Sequence, residues 1–206
     1  MGLPKLYIYR MTHLDNIAHI IRYGITHKNS PNASKAYTPI GDTSIINTRN
    51  THKLENGLYL GNYIPFYFGK RSPMLYVIQN GFNGVTAVEA SAIVYCVSSV
   101  QQVIDAKIDF IYTDGHATDN FTEIYKSTDI DTIQNQVDFK AINKKFWKDE
   151  NDLDLKRRKE AEFLILQDLS FDNILGFVTF DEKAKEKLIQ QGIDSDKVVI
   201  RPHFYF

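Results

Sequence analysis

Blocks of apolar residues alternate with polar turns along this chain, and their spacing predicts short strands and helices. Residues 5–11 (KLYIYRM) are aromatic and β-branched, which favours a strand. Thr12 then has the character of a helix N-cap, apolar residues recur at helical spacing over 14–21, and Gly24 ends the pattern. We therefore predict a strand followed at once by a helix, with polar residues at their junction.

The same two spacings predict the remaining elements. Further strands are expected at 58–68, 92–97, 109–112, 161–167, 174–180 and 198–206. Helices are expected at 72–80, 98–106, 120–126, 134–147 and 181–191, whereas the charged residues 148–159 favour a loop. Many short strands interleaved with helices indicate an α+β fold, and a length of 206 residues fits one domain over 1–206.

One long segment breaks this pattern. Residues 25–61 are rich in Asn, Ser, Thr, Lys, Pro and Gly, and only one helical turn is predicted there, near 43–46. A loop of this length inside a domain is usually functional or mobile. We expect it to fold over a ligand.

Charge and cysteine content narrow the function class. The 24 Lys and Arg against 25 Asp and Glu give a net charge of −1, whereas proteins that coat nucleic acid non-specifically are usually basic. Any nucleic-acid contact must therefore come from a local patch, which leaves short single strands open. The sole cysteine, Cys96, cannot form an intramolecular disulfide, which favours a reducing, cytoplasmic location. No apolar run reaches signal-peptide or transmembrane length, so we expect no membrane partner.

Several familiar motifs are missing from the sequence. The six histidines show no metal-ligand spacing, and one cysteine cannot build a zinc site, so no metal is expected. Walker A, GxGxxG and GxSxG patterns are also missing. A nucleotide, if bound, would not occupy a P-loop or a Rossmann site.

Two glutamates stand at the head of the strand predicted at 161–167. Glu160 and Glu162 flank Ala161, and in an extended segment alternate side chains share a face, so both carboxylates are expected on one side. Apolar neighbours would hold Glu162 in a dry environment that tunes its proton affinity. The alternative is a solvated glutamate at a strand start.

Three further features suit a nucleotide ligand. Arg10 ends the first strand and Arg49 lies in the polar loop, and two such guanidinium forks can clamp a diphosphate. The segment 63–74 mixes aromatic residues with two cations, which suits base stacking and phosphate contact. His116 follows a strand in a polar turn, a usual place for a functional side chain. The alternatives are surface charge for the arginines, a core strand for the aromatic residues and an incidental role for His116.

Five segments and the C-terminal FYF together resemble the DarT family of DNA ADP-ribosyltransferases, in the family's order and spacing. The segments are 9–25 (YRMTHLDNIAHIIRYGI), 40–50 (IGDTSIINTRN), 63–76 (YIPFYFGKRSPMLY), 112–117 (YTDGHA) and 156–165 (KRRKEAEFLI). The resemblance implies the ADP-ribosyltransferase fold, a split antiparallel β core around an NAD⁺ cleft with flanking helices. It also implies NAD⁺ as co-substrate, single-stranded DNA as acceptor and a toxin paired with a macrodomain antitoxin, DarG.

The resemblance also assigns roles to residues. Glu162 matches the catalytic glutamate of the family's AEF strand, and Arg49 matches its loop arginine. The cofactor-binding positions are Arg10, where family members carry His or Arg, then Thr12, Asn16, Gly24 and Tyr67. The DNA-binding positions are Tyr67, Arg71, Met74, His116, Arg157 and Arg158. Glu162 would stabilise the ribose cation that forms as nicotinamide leaves, and it could also take the proton of the attacking base nitrogen.

The sequence alone leaves the identity of the ADP-ribose acceptor undecided. Thymine is favoured because the motif set resembles the thymidine-modifying branch, and guanine is the alternative. A transferase of the same fold could also modify RNA or protein. A non-enzymatic module that binds single-stranded DNA is disfavoured by the near-neutral net charge.

Overall fold

An eight-stranded sheet organises the protein, whose computed structural model describes residues 5–206. Its strands are β1 (Tyr7–His13), β2 (Ile64–Tyr67), β3 (Ile93–Ser99), β4 (Phe110–Thr113), β5 (Ile124–Lys126), β6 (Glu162–Ile165), β7 (Gly176–Thr179) and β8 (Val198–Ile200). Their order across the sheet is β5-β4-β6-β2-β1-β3-β7-β8, with antiparallel neighbours except for the parallel pair β7–β8. The predicted α+β class and antiparallel core are confirmed.

Short helices connect the strands. They are α1 (Ile17–Tyr23), α2 (Thr43–Thr51), α3 (Pro73–Asn80), α4 (Val100–Asp105), α5 (Ile133–Gln136), α6 (Phe139–Asn143), α7 (Leu155–Lys159) and α8 (Glu182–Gln190). Single 3₁₀ segments lie at Leu14–Asn16, Leu60–Asn62, Ala90–Ala92, Ser127–Thr132, Phe171–Asn173, Ser195–Lys197 and Pro202–Phe204. Within residues 5–206, none of the helices has the length and apolarity needed to cross a membrane.

Several elements differ from the sequence predictions in type. Residues 120–126, predicted as a helix, contain β5, because pairing with β4 outweighs the local preference. The helix predicted at 134–147 divides into α5 and α6, since Asp138 caps α6 by accepting from two backbone N–H groups. The charged residues 148–159, predicted as a loop, end in α7. The predicted N-cap Thr12 lies in β1, and His13 caps the following 3₁₀ turn instead.

Other elements differ in length. The strands predicted at 58–68 and 198–206 shorten to four and three residues. The first is delayed by a 3₁₀ turn in which the Tyr59 N–H donates to the Asn62 side chain at 2.7 Å. The second ends before Pro202, which has no N–H to donate to a neighbouring strand. Conversely, the single turn predicted near 43–46 extends to the nine-residue α2.

The sheet is split between β1 and β2. Strand β1 pairs with β3 along its whole length, but the pairing of β1 with β2 is confined to Tyr9 and Tyr67. Further along, the Arg10 side chain donates to the Pro65 carbonyl oxygen at 2.9 Å, and Pro65 has no N–H for a ladder bond. The two strands diverge from this point, and a cleft opens between them.

Strand β3 is buried on both faces, which explains its continuous apolar sequence. Val94 and Cys96 pack in the main core, whereas Ile93 and Tyr95 pack with the C-terminal residues on the opposite face. Burial raises the pKa of the Cys96 thiol to about 12, so this cysteine is a core residue with little thiolate character.

Candidate active site

Glu162 opens β6 and is only 1% exposed. Its Oε2 accepts a hydrogen bond from Arg49 Nη1 at 2.8 Å, and its Oε1 accepts from the Ala117 backbone N–H at 3.0 Å. Its own backbone N–H donates to Thr113 Oγ1 at 3.0 Å, and the strand register places it opposite Tyr67. The carboxylate is therefore fixed in a dry site and does not face solvent at the strand start.

Arg49 reaches Glu162 from α2, inside the long polar segment. Asp42 caps this helix by accepting from the backbone N–H groups of Ser44 and Ile45, and the Ser44 hydroxyl bond holds the pKa of Asp42 below its usual value. Arg49 is 8% exposed, and its Nη2 has no hydrogen-bond partner among the described residues. A buried donor without a partner indicates a place for an acceptor from a ligand.

Two adjoining cavities, of about 160 and 300 Å³, flank this ion pair, and together they form what we call the small cleft. The residues that line both cavities are Arg10, Tyr37, Ile46, Arg49 and Pro65. Glu162 and Tyr67 line the first cavity as well. The small cleft thus coincides with the split of the sheet, and it combines two guanidinium groups with one buried carboxylate.

A much larger cavity of about 950 Å³ adjoins the small cleft. Three residues line both: Ile45, Met74 and His116. Aromatic side chains stand along the large cavity, namely Phe82, Phe121 and Trp147. Phe121 is 83% exposed, which is unusual for a phenylalanine and suits contact with a flat ligand.

His116 lines both the small cleft and the large cavity, whereas Tyr67 lines the small cleft only, and both side chains are neutral near pH 7. Burial lowers the pKa of His116, although the nearby Glu162 carboxylate opposes that change. Burial and the charges of Glu162 and Glu160 hold the pKa of Tyr67 well above its usual value. The His116 Nδ1 lies 2.9 Å from the Thr118 hydroxyl, which fixes the orientation of the ring. Both residues can therefore contact a ligand without adding charge.

Three of the predicted cofactor-binding residues, Thr12, Asn16 and Gly24, line neither cavity of the small cleft. The Asn16 amide donates to Thr12 Oγ1 and to the Thr38 carbonyl oxygen, and it accepts from the Thr38 N–H. Asn16 thereby ties the polar segment to the start of α1. Gly24 has φ +77°, and a side chain there would meet the Leu169 carbonyl oxygen at 2.1 Å, so only glycine fits. In this structure the three residues thus have structural contacts outside the small cleft.

The predicted DNA-binding arginines are held by other parts of the chain. Arg157 pairs with Asp114 at 2.9 Å and with Asp154 at 2.7 Å. Arg158 forms ion pairs with Asp138, Asp152 and Asp154. Arg157 lines the large cavity, whereas Arg158 does not.

Arg71 and Met74 differ from each other in their surroundings. Arg71 adopts φ +54°, and its Nε donates to the Tyr205 carbonyl oxygen at 3.0 Å, which anchors the C-terminal residues. Met74 lies on α3 and faces both the small cleft and the large cavity. Met74 is therefore placed between the two ligand spaces, and Arg71 lines neither.

Several lining residues were not predicted. Tyr37, Ile45 and Ile46 come from the polar segment, where poor periodicity hid them. The Asp42-Thr43-Ser44 start of α2 is a capping signal from which a longer helix could have been predicted. The Ala117 N–H that binds Glu162 leaves no sequence signal, because any residue other than proline offers the same group.

Comparisons with known proteins identify the family to which this chain belongs. The family profile described as "ssDNA thymidine ADP-ribosyltransferase, DarT" matches residues 9–206. A DNA ADP-ribosyl transferase of Thermus sp. (strain 2.9) is 30% identical over 210 residues, covering 97% of this chain and 95% of the relative. The structure of Thermus sp. 2.9 DarT with ADP-ribosylated single-stranded DNA superposes with a TM-score of 0.85 at 27% identity, covering 100% of this chain and 99% of that one. Its complex with NAD⁺ gives a TM-score of 0.80 at 26% identity, with 100% of both chains covered.

The eight-stranded sheet and the helices around it thus have the architecture of DarT DNA ADP-ribosyltransferases. The chain belongs to the DarT family, which confirms the resemblance seen in the sequence. A further relative from Thermosipho africanus is a DNA ADP-ribosyl transferase–DNA ADP-ribosyl glycohydrolase fusion protein, 27% identical. That match covers 97% of this chain and 49% of the fusion protein.

Proposed function

We propose that this chain transfers ADP-ribose from NAD⁺ to a thymine base of single-stranded DNA. The observation that carries the proposal is the position of Glu162, a buried carboxylate in a small cleft that shares three wall residues with a large, aromatic-lined cavity. Donor and acceptor could meet at these shared wall residues. The family's description names thymidine, and a DarT structure contains ADP-ribosylated single-stranded DNA.

The small cleft would receive NAD⁺. Arg49 lines this space and keeps a buried Nη2 donor without a partner among the described residues. Arg10 adds a second guanidinium, so the pair suits a diphosphate. Tyr37 and Tyr67 offer aromatic faces in the same cleft. Thr12, Asn16 and Gly24 would act on NAD⁺ through the polar segment and α1 that they hold in place.

Glu162 would stabilise the transition state. When the bond between nicotinamide and ribose C1″ breaks, nicotinamide leaves with the bonding electron pair and the ribose becomes cationic. A fixed carboxylate beside that cation lowers the barrier, because it is held by Arg49 and Ala117 and needs no reorganisation. A ring nitrogen of thymine then bonds to C1″ and loses its proton.

The large cavity would hold the acceptor strand. Phe82, Phe121 and Trp147 can stack on bases, while His116 and Met74 contact the base that enters the small cleft. Lys156 is exposed at this cavity and is available to bind phosphate. Arg157, Arg158 and Arg71 would have to bind phosphate in addition to the partners that they already contact. A single strand is required because base pairing hides the reacting nitrogen.

We further propose that the chain acts as one domain in the cytoplasm, as the toxin of a toxin–antitoxin pair. The fusion of a transferase with a DNA ADP-ribosyl glycohydrolase in Thermosipho africanus supports a macrodomain, DarG-like partner that removes the modification. A single, buried cysteine and an NAD⁺ substrate suit a reducing compartment.

Asn16→Ala tests the support of the small cleft. The substitution removes both hydrogen bonds to Thr38, each worth about 0.5–1.5 kcal/mol, so the segment over the cleft loses its anchor. The KM for NAD⁺ is expected to rise roughly tenfold, with a smaller change in kcat. The matched control is Asn80→Ala, an exposed asparagine whose amide bonds within its own helix. An unchanged KM would show that Asn16 does not support NAD⁺ binding.

The proposed activity is tested by incubating the protein with NAD⁺ and one labelled oligonucleotide, either as a single strand or as a duplex, followed by gel electrophoresis. The single strand should gain a retarded band, and the same strand annealed to its complement should not. Replacing the thymines by cytosines should abolish the shift. Equal modification of duplex and single strand, or of thymine-free strands, would overturn the proposal.

A further inference from the structure

A second carboxyl group, that of Glu160, lies at the wall of the large cavity. Glu160 directly follows α7 and is 6% exposed. In the part of the chain that the structure describes, its carboxyl oxygens form neither a hydrogen bond nor an ion pair, although its backbone N–H bonds to the Arg157 carbonyl oxygen. These oxygens are therefore accessible from the large cavity, and a group of a ligand that enters it can reach them.

Glu162 is poorly placed to take a proton from the acceptor base in addition to stabilising the ribose of NAD⁺. Its two oxygens already accept from Arg49 and from the Ala117 N–H, and it faces the small cleft. Glu160 lines the large cavity and not the small cleft. The two carboxyl groups therefore divide between the two ligand spaces, one on the side of the sugar and one on the side of the base.

The charges around Glu160 leave its carboxyl available. Lys156 and Lys159 of α7 face it, together with Glu162 and Asp119. The Lys159 amine is occupied, because it donates to the Ile142 and Lys144 carbonyl oxygens. Burial, with a smaller contribution from the Glu162 charge, raises the pKa of Glu160 to about 7. A base with a pKa near the working pH is the most effective proton acceptor in catalysis.

We propose that Glu160 is a catalytic residue, the general base that takes the proton from the acceptor base. This inference rests on the proposed function. In thymine one ring nitrogen carries the deoxyribose, so N3 is the ring nitrogen with a proton to lose. The N3–H electron pair forms the bond to C1″, nicotinamide leaves with its own pair, and the proton passes to the Glu160 carboxylate. Glu160 then releases that proton to solvent through the open cavity.

Glu160→Gln separates this role from that of the donor site. The amide has nearly the same shape but cannot accept the proton, so transfer to a single-stranded oligonucleotide should fall by about 10²–10⁴-fold. Slow hydrolysis of NAD⁺ without DNA, and the KM for NAD⁺, should stay within about twofold, because water needs less help from a base than N3–H does. Glu123→Gln, at an exposed glutamate outside the cavity, is the matched control.

The pH profile provides the second readout. Transfer by the wild type should decline below about pH 7, where Glu160 becomes protonated, and this inflection should vanish in Glu160→Gln. Glu160→Asp, which keeps a carboxyl group, should retain part of the activity and the inflection. Unchanged transfer by Glu160→Gln, or equal loss of transfer and NAD⁺ hydrolysis, would overturn the assignment. A wild type that leaves every oligonucleotide unmodified would instead refute the proposed function.

Discussion

Glu162→Gln is expected to lower the rate of ADP-ribose transfer by about 10²–10⁴-fold at saturating NAD⁺ and oligonucleotide. Under the proposed function the substitution removes the negative charge beside ribose C1″. The other carboxylate that lines the small cleft within residues 5–206, that of Asp42, is occupied as the cap of α2. Unlike Glu160→Gln, it should also abolish the slow hydrolysis of NAD⁺, because the cationic ribose forms in both reactions. The measurement is nicotinamide release, with and without DNA.

We also expect the Glu162→Gln protein to be less stable than the wild type. One of the two donors, the Arg49 guanidinium or the Ala117 N–H, then faces an amide NH₂, which costs about 1–3 kcal/mol. We expect the melting temperature to fall by about 2–12 °C, so activity is measured well below it. Glu182→Gln, at an exposed site in α8, is the control and should change neither quantity. Transfer within twofold of the wild type would contradict the role of Glu162.

Arg49→Ala has the second large effect, on stability and activity together. Glu162 is 1% exposed, so removal of its cation leaves a buried charge without its partner, which costs about 3–5 kcal/mol. For a chain of this size the melting temperature should fall by roughly 6–20 °C. Transfer should be lost as well, since the free Nη2 in the small cleft disappears with the guanidinium.

Arg49→Lys distinguishes the two contributions. An ammonium group can pair with Glu162, but it cannot also present a second fixed donor to the cleft. Most of the stability should return while the KM for NAD⁺ stays raised. Arg22→Ala, at an exposed arginine on α1, is the control. If Arg49→Ala melted within 2 °C of the wild type (about one kcal/mol or less), the buried ion pair would not hold the site together.

The local sequence was sufficient to predict a strand or helix where its apolar residues recur at the spacing of that element. The apolar run of β3 predicts a strand because both of its faces are covered. Asp181 before an amphipathic segment predicts α8, whose cap it is. Two of the predictions failed for different reasons: residues 124–126 form a strand because β5 pairs with β4, and the helix predicted at 134–147 is divided by the cap at Asp138.

The site was predicted through the family resemblance more than through spacing. The expectation that Glu160 and Glu162 share a face of one extended segment is wrong, because Glu160 has the φ of −94° and ψ of 19° of a residue that ends a helix. The two carboxyl groups come near each other at a helix–strand junction instead. The surroundings of the two carboxyl groups differ because Ala117 and Arg49 contact Glu162 and because the two groups line different cavities. Ala117 and Arg49 are far from Glu162 in the sequence, so spacing alone could not predict this.

The basic run at 156–159 shows the same limit. A cluster of four cations predicts contact with phosphate, yet Arg157 and Arg158 form ion pairs and Lys159 is buried. The partners Asp114 and Asp138 lie 43 and 20 residues away along the chain. Charge counts along a sequence cannot reveal such contacts, which occupy three of the four cations in this run.

The most direct test of the account is mass spectrometry of an oligonucleotide with a single thymine, incubated with the protein and NAD⁺. Fragmentation should place one ADP-ribosyl group on that thymine base, and the product should be missing with Glu162→Gln. An ADP-ribosyl group on guanine, on the sugar–phosphate backbone or on the protein, with the thymine unmodified, would contradict the account.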